Sequence, residues 1–190
     1  MLQPQTQGRT RTRLREPGSA GVSIDAVALL KREHEMILEQ LRMLETVTGP
    51  VAADARRAGI RVLAKPERKT LRELLRFFTG RVGVHFKREA VLITALRRVI
   101  GRRRAERNEF ENLLLEHRAL KADAGAIAKK LSRTSPSAAE GNGNDPYGIR
   151  SFVRHYRDHI SCEERILFVL AQMRLTAGQR QRISQRMLQV

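Results

Sequence analysis

The chain has 190 residues, 41% of them hydrophobic, and no tryptophan, a composition that favours one helical domain with tails over a β-sandwich. A single cysteine excludes an internal disulfide, and no apolar run approaches the roughly 20 residues of a membrane span. The formal net charge of +17 indicates either an arginine-rich solvated surface or attraction to nucleic acid, an anionic membrane or an acidic partner. The first 22 residues lack the apolar segment of a secretory signal, so we expect a cytoplasmic protein.

Residues 1–22 carry arginines among Gln, Thr, Pro and Gly, a composition typical of a disordered basic arm. The first predicted helix begins after Ser23 as N-cap and ends at Gly49 and Pro50. Its apolar stripe, with steps of three or four residues, contains one histidine: Val27, Leu30, His34, Ile37, Leu41 and Leu44. We expect the less periodic residues 51–69 to be a linker with a helical turn or a short helix.

The second predicted helix runs from about Thr70 to Ile100, although two internal glycines each cost roughly 1 kcal/mol relative to alanine. Its stripe places a histidine and a glutamate one helical turn apart: Phe78, Val82, His85, Glu89, Leu92 and Leu96. Gly101 predicts a tight turn before a third helix, which continues to about Leu131. The stripe of this third helix has one histidine: Phe110, Leu113, His117, Leu120, Ala124, Ile127 and Leu131.

Residues 132–146 are rich in Ser, Gly, Asn and Pro and predict a loop. The fourth predicted helix, from Tyr147 to about Leu175, repeats the pattern of the second. Its stripe again pairs a histidine with a glutamate: Ile149, Phe152, Tyr156, His159, Glu163, Ile166 and Leu170. A short amphipathic C-terminal helix follows over residues 176–190.

The stripe histidines lie at equal heights if consecutive helices run antiparallel. His85 lies fifteen residues before the end of the second predicted helix, and His117 lies fifteen after the start of the third. At a rise of 1.5 Å per residue, both are roughly 22 Å from the turn. A similar count brings His159 level with His117 across the loop. His34 comes level with His85 across the linker if the second helix starts near Thr70. We therefore predict an all-α, up-down-up-down four-helix bundle over residues 23–175.

Burying an unpaired carboxylate costs several kcal/mol, so the two glutamates of this layer need a cation. By composition the layer is a metal site: His34, His85, Glu89, His117, His159 and Glu163. If the first two histidines bind one ion and the last two the other, with both carboxylates bridging, each ion has four protein ligands. A bridging oxygen from water adds a fifth ligand and leaves an exchangeable position. Nitrogen and oxygen ligands suit iron, with manganese and zinc as alternatives; the competing interpretation is four separate, hydrogen-bonded core histidines.

The segments that carry these residues resemble the four signature segments of the hemerythrin-like HHE cation-binding domain family: LKREHEMILEQL, VHFKREAVL, LLLEHRAL and HISCEERILF. The resemblance covers roughly residues 23–175 and implies a non-haem di-iron centre in a four-helix bundle, with the irons bridged by an oxo or hydroxo group. It carries the six residues of the layer over as ligands. It implies a protein that binds or reacts with O2, NO or peroxide, as a sensor, a scavenger or an iron-handling stress protein. Whether the protein is an enzyme, with catalase-like peroxide or NO chemistry, stays open.

Two departures separate the sequence from the oxygen-carrying hemerythrins. Those proteins have a second histidine one turn from the histidine of the third helix, where this chain has Leu113 and Lys121. They also take the carboxylate of the fourth helix five residues after its histidine, where Glu164 stands beside Glu163. The sequence is therefore closer to the branch linked with iron handling, nitric oxide and oxidative stress, and Glu164 becomes an additional candidate ligand.

Four further residues lie close to the predicted layer. His155 precedes the layer by one turn and is an additional candidate ligand or hydrogen-bond partner, against the alternative of a histidine at the stripe edge. Tyr156 is expected to be a core residue with a satisfied hydroxyl, or a donor to a bound oxygen species. Glu33 and Glu116, each just before a stripe histidine, are expected to face solvent.

The alternative function is a basic interaction module that makes weak contact with nucleic acid or an acidic protein. Its surface would be an arginine cluster near Gly101, opposed in sequence only by Glu106: Arg97, Arg98, Arg102, Arg103, Arg104 and Arg107. No nucleic-acid-binding motif or aromatic stacking pattern accompanies these arginines.

Overall fold

A computed structural model describes residues 24–49, 64–101, 104–133 and 147–190 of the protein. These ranges contain helices and no strand, which confirms the predicted all-α class. The elements in chain order are α1 (Ala26–Thr48), α2 (Lys65–Thr79), α3 (Val82–Ile100), α4 (Arg104–Arg133), α5 (Ile149–Glu163), a π-helical turn (Glu164–Phe168), α6 (Val169–Arg174) and α7 (Ala177–Met187). The predicted basic arm, most of the linker and most of the loop at 132–146 lie outside the described residues.

Four helical rods build the bundle. The first rod is α1, the second is α2 with α3, the third is α4, and the fourth is α5 with the π-helical turn and α6. Each rod packs against the rods on either side of it, with α1 on α2 and α5, and α4 on α2 and α5. This arrangement confirms the predicted four-helix bundle. Among the described residues, none of the helices combines the length and apolar character that a membrane crossing requires.

The first and second rods start at other residues than predicted, and the fourth starts at Ile149 instead of Tyr147. Asp25, rather than Ser23, caps α1, because its carboxylate accepts a hydrogen bond of 2.8 Å from the backbone N–H two residues later. The second rod starts at Lys65 instead of Thr70, because Pro66 lies in the first helical turn, where its missing N–H costs no hydrogen bond.

The second rod is also interrupted where a continuous helix was predicted. The break between α2 and α3 lies at Gly80, which has φ −118° and ψ −80°. A Cβ atom at Gly80 would lie 3.0 Å from the carbonyl oxygen of Arg76, so the backbone here leaves little room for a side chain. The N–H of Gly83 then donates to the Gly80 carbonyl at 2.9 Å and starts the new helix.

The fourth rod contains a π-helical turn that the apolar pattern did not predict. The rod begins at Ile149, after Gly148 with φ +79°, and the turn follows α5 directly. A π-helical turn accommodates one extra residue in the helix and is frequent at functional sites. Residues after Glu163 are therefore rotated relative to the register of an unbroken α-helix.

A polar layer divides the hydrophobic core into two clusters. On every rod the stripe histidine has a residue of one cluster on its N-terminal side and of the other on its C-terminal side. These flanking pairs are Leu30 and Ile37 for His34, Val82 and Leu92 for His85, Leu113 and Leu120 for His117, and Tyr156 and Leu167 for His159. The four histidines therefore share one level, as predicted, although the count for His34 assumed a helix start near Thr70 and the second rod starts at Lys65.

The C-terminal helix α7 packs on α1 and α3. Thr176 caps it, accepting a hydrogen bond from the Gln179 N–H at 3.3 Å. Ile183 and Met187 are buried in the same hydrophobic cluster as the start of α1. This packing makes α7 a fifth element of the same core.

Two glycine substitutions should change stability in opposite directions. Gly101 has φ +67°, so Gly101→Ala should lower the free energy of unfolding by about 1–3 kcal/mol. Gly125 lies inside α4 with nothing within 4 Å of a built Cβ, so Gly125→Ala should raise it by about 0.5–1 kcal/mol. Urea denaturation at matched metal content measures both. Midpoints that move in the same direction would contradict the assigned backbone conformations.

Candidate metal centre

The rods bring the six residues of the predicted layer together inside the bundle. His34 comes from α1, His117 from α4, and a histidine with a glutamate from each of α3 and α5. All six side chains are buried, and both glutamates have no solvent-accessible surface. Each occupies an inward position of an otherwise apolar stripe, which is why the fold buries it.

The carboxylate of Glu89 lies between the two halves of the layer. Its Oε1 atom is 3.0 Å from Nε2 of His85 and 3.3 Å from Nε2 of His34. Its Oε2 atom is 3.2 Å from Nε2 of His117. One oxygen of Glu89 therefore faces each half.

The carboxylate of Glu163 repeats this arrangement from the other half. Its Oε1 atom is 3.0 Å from Nε2 of His117 and 3.3 Å from Nε2 of His159. Its Oε2 atom is 3.3 Å from Nε2 of His34. The half made by α1 and α3 and the half made by α4 and α5 thus have the same plan.

Several of these close atoms are not aligned for hydrogen bonding. Among the described residues, His85 Nε2, His159 Nε2 and one carboxylate oxygen of each layer glutamate are buried without a hydrogen-bond partner. Two ligand atoms at right angles around one ion, each about 2.1 Å from it, lie about 3 Å apart. Lone pairs that converge on a shared point explain both the distances and the poor alignment. The donor set therefore fits a metal cation.

The ligand atoms form two groups, each within 4.8 Å of one another. The first group is His34, His85, Glu89 and Glu163, and the second is His117, His159 and Glu163. The grouping divides the histidines into the same pairs that the sequence predicted.

Three of the four imidazoles have a second carboxylate behind them, at Nδ1. The Nδ1–carboxylate distances are 3.0 Å for His85 to Glu33, 2.7 Å for His159 to Glu116, and 3.0 Å for His34 to Glu164. An acceptor at Nδ1 keeps the proton on that nitrogen, so the Nε2 lone pair is free to face the layer. We call Glu33, Glu116 and Glu164 the outer carboxylates.

The prediction that Glu33 and Glu116 face solvent is wrong for Glu33 and holds only in part for Glu116, because both carboxylates contact a layer histidine. Glu33 is buried, and Glu116 is 40% exposed but still bonded to His159. Each stands one residue before a layer histidine, so it points about 100° away from its own stripe and meets the next rod. The Glu-His dipeptide repeated on the first and third helices was the signal that could have found them.

The structure gives Glu163 and Glu164 different places. Glu163 faces the layer, whereas Glu164 begins the π-helical turn, is 41% exposed and reaches His34 from outside. The corresponding residue of the second rod is Ala90, which has no carboxylate. Among the described residues, His117 accordingly has no carboxylate at Nδ1.

The structure does not bring His155 to the layer, and it buries Tyr156 without a partner. The His155 side chain is 41% exposed, with Nδ1 3.6 Å from an oxygen of Asp123. The ring of Tyr156 lies 6.2 Å from that of His159, and its hydroxyl has no hydrogen-bond partner among the described residues. The expectation of a satisfied hydroxyl is therefore wrong. Burial, together with the negative charges of Glu89 and Glu163, holds the pKa of this phenol well above its usual value.

Two phenylalanines that the sequence reasoning missed cover layer histidines. Phe86 stacks on His117 with ring centroids 4.1 Å apart, and Phe168 stacks on His34 at 5.1 Å. These rings restrict the imidazole orientations and keep water away. Phe168 reaches its position through the π-helical turn, which explains why a regular helical pattern did not assign it.

Without a metal, the buried glutamates raise the pKa of two layer histidines, His34 and His85. Burial lowers the pKa of His34, but hydrogen bonds and attraction from Glu163 and Glu89 outweigh it and raise that pKa to about 10. Burial also lowers the pKa of His85, but Glu89 and Glu33 outweigh this effect and raise that pKa to about 9. Burial also tends to raise the pKa of Glu89, but the neighbouring imidazoles hold it well below its usual value.

The arginine cluster is only partly described. Arg102 and Arg103 lie outside the described residues, as does the side chain of Arg104. Arg97 donates to Glu111 at 3.2 Å, an acidic partner that the sequence reasoning missed. Contact of this cluster with nucleic acid or an acidic protein stays a prediction.

The comparison with protein families identifies a family for this chain. The family model described as the hemerythrin HHE cation binding domain matches residues 25–171. No curated protein and no solved structure matches the chain. The matched range holds all six layer residues and the three outer carboxylates.

The metal-free protein should lose stability as the pH rises. A histidine whose pKa is raised by folding stabilises the folded state fully below its unfolded pKa of about 6.5, and this contribution disappears as the pH passes the folded pKa. For His34 and His85 the decline should therefore extend from about pH 6.5 to about 9–10. Glu89, with a lowered pKa, adds stability above about pH 4.5 that is lost in acid.

Urea denaturation of chelator-treated protein between about pH 5 and 10 measures this decline. The metal-loaded protein is the control, since ligated imidazoles carry no Nε2 proton to lose. A free energy of unfolding that stays constant from about pH 6.5 to 9 in the metal-free protein would contradict the charge assignment.

Proposed function

Because the chain belongs to the hemerythrin HHE cation-binding domain family, we propose that its buried layer holds two non-haem iron ions. We propose further that the protein binds or reacts with O2, NO or peroxide, as a sensor, a scavenger or an iron-handling stress protein. The observation that carries the proposal is the placement of the two layer glutamates. Each turns one carboxylate oxygen towards each histidine pair.

The proposal assigns the same kinds of protein donors to each ion. By distance Glu89 groups with the first histidine pair, and its Oε2 atom approaches the second pair, 3.2 Å from Nε2 of His117. His34 and His85 would hold one ion and His117 and His159 the other, with an oxygen of each layer glutamate on both. Four nitrogen and oxygen donors, with no thiolate, suit iron, and they leave open positions on a metal that prefers six ligands. Open positions favour a reactive or ligand-binding site over a purely structural one. When bound, the irons would supply the electrons for chemistry with a small oxygen or nitrogen species.

The protein side chains around the layer have three tasks in this proposal. The outer carboxylates hold the Nδ1 protons of their histidines and so fix which nitrogen faces the metal. The two apolar clusters above and below, with Phe86 and Phe168, keep bulk water out. Tyr156 keeps its proton at any physiological pH and offers its unpartnered hydroxyl to a small molecule held at the layer.

The ligand set also favours some members of this group of functions over others. The positions one turn on either side of His117 are Leu113 and Lys121, so the third rod adds no second histidine. This composition supports sensing, scavenging or iron handling ahead of reversible oxygen carriage. Turnover separates a catalase-like enzyme from a binder, and stopped-flow assays with peroxide and NO measure it.

The metal content of two histidine variants tests the ligand assignment. Protein from iron-replete cells should contain about two irons per chain, given two sets of four ligands. His159→Ala removes a proposed ligand and should lower the content to about one iron or less. His155→Ala, one turn earlier on the same helix but outside the layer, should leave it unchanged. Iron-free wild-type protein, or equal losses in both variants, would contradict the proposal.

The hydroxyl of Tyr156 gives a second test. Tyr156→Phe removes one buried oxygen and should keep the iron content, because the hydroxyl contacts no proposed ligand atom within hydrogen-bonding distance. Loss of one hydrogen bond to the bound molecule should slow its reaction or weaken its binding by about tenfold. Stopped-flow absorbance with peroxide and with NO measures the change. Rates and affinities equal to those of the wild type would remove Tyr156 from the mechanism.

A further inference from the structure

A continuous set of contacts links the last helix to one layer histidine. The backbone carbonyl of Met187, the last residue of α7, accepts a hydrogen bond of 3.1 Å from Nε of Arg88. Nη1 of the same guanidinium donates to Oε1 of Glu33. The other oxygen of Glu33 accepts from Nδ1 of His85 at 3.0 Å. The C-terminal helix is therefore three contacts away from a proposed metal ligand.

Only one of the outer carboxylates has such support. Glu33 is buried, whereas the side chains of Glu164 and Glu116 are 41% and 40% exposed. Among the described residues, neither Glu164 nor Glu116 has an arginine or lysine partner, although Glu33 has Arg88. The two halves of the site are thus alike at the layer but different behind it.

The sequence shows the same difference at corresponding positions. The second rod reads His-Phe-Lys-Arg-Glu around its layer residues, and the fourth rod reads His-Ile-Ser-Cys-Glu. Arg88 therefore corresponds to Cys162, which has no charge to offer Glu116. Among the described residues, an arginine therefore contacts the outer carboxylate only in the half made by α1 and α3.

The docking of α7 has anchors that do not involve the layer. Nε of Arg180 donates to Asp25 at 2.6 Å, and the Ser184 hydroxyl donates to the carbonyl of Ile24. Ile183 and Met187 are buried in the cluster on the α7 side of the layer. These contacts fix the helix against α1 and α3, the two helices that carry Glu33 and Arg88, so the Met187 carbonyl is held in place for Arg88.

We propose that α7 supports the metal centre, and that Arg88 is the positioning residue that links α7 to Glu33 and so to His85. The inference rests on the proposed function, because it takes His85 to be a metal ligand. Held at one end by the Met187 carbonyl, the Arg88 guanidinium keeps Glu33 turned towards His85, which fixes the orientation and raises the basicity of that imidazole. The metal held by His34 and His85 depends on the C-terminal helix, and the metal held by His117 and His159 does not. By linkage, metal binding at His85 also stabilises the docked position of α7.

A matched pair of variants tests this dependence. Arg88→Gln removes the charge that joins Met187 to Glu33 and leaves all proposed ligands in place. Arg157→Gln is the control, since it breaks another arginine–glutamate pair between rods, with Glu45 at 2.7 and 2.9 Å, away from the layer. Arg88→Lys keeps a charge without the planar fork, and should give an intermediate result.

The measurement is the release of iron to a chelator from the full-length, loaded protein. Arg88→Gln should release one of its two iron ions about tenfold faster than the wild type, or more, as is usual when a hydrogen-bond partner behind a ligand is removed. It should release the second iron ion at the wild-type rate. Arg157→Gln should release both as the wild type does. In parallel, hydrogen exchange of residues 177–187 should slow on metal loading in the wild type and in Arg157→Gln, but not in Arg88→Gln.

The outcomes separate the two proposals. Wild-type protein that takes up no metal would overturn the proposed function and this inference with it. Wild-type protein with two irons, and an Arg88→Gln variant that releases both like Arg157→Gln, would overturn the inference alone. Equal acceleration of both equivalents would also overturn it, because a general loss of stability has no preference for one half of the site.

Discussion

Two carboxylates without any access to solvent, Glu89 and Glu163, set the main constraint on this fold. A buried negative charge is tolerated only with a positive charge beside it. Among the described residues, the side chains beside these two carboxylates that can supply one are imidazoles. The rods must therefore place four histidines at one level, and the core must divide into two apolar clusters around them. In the metal-free protein the raised pKa values of His34 and His85 let these two imidazoles keep protons beside the buried glutamates. Metal ions would replace those protons in the same geometry, which couples folding to metal binding.

Behind this symmetrical layer the two halves differ. The Glu-His dipeptides of α1 and α4 give both halves an outer carboxylate on the histidine of the neighbouring rod. The π-helical turn adds a third, Glu164, at His34, while Ala90 leaves His117 without one. Among the described residues, the contacts that join α7 through Arg88 to the outer carboxylate Glu33 occur in one half only. Two ions with the same inner ligands would therefore have different surroundings.

Much of the fold and the inner site follows from spacing along the sequence. Steps of three and four residues assign the stripes, and counting residues from the turns brings His85, His117 and His159 level, because α3, α4 and α5 are regular between the turn and the layer. The count for His34 is not of this kind, because the second rod starts at Lys65 and is broken at Gly80 before it reaches His85. The errors lie where regularity fails. The predicted linker extends to residue 69, although Pro66 is accepted in the first turn of the second rod. The break at Gly80 and the π-helical turn leave no mark in an apolar pattern. Glu33, Glu116 and Arg88 were missed because their partners lie on other helices, and a pattern read along one helix contains no information on its neighbour's side chains.

Anomalous diffraction at the iron absorption edge, from crystals of protein purified from iron-replete cells, tests the central claim most directly. The account predicts two separate peaks inside the bundle, one beside His34 and His85 and one beside His117 and His159, with an oxygen of Glu89 and of Glu163 next to each. A single peak, or iron bound anywhere outside the buried layer, would contradict it.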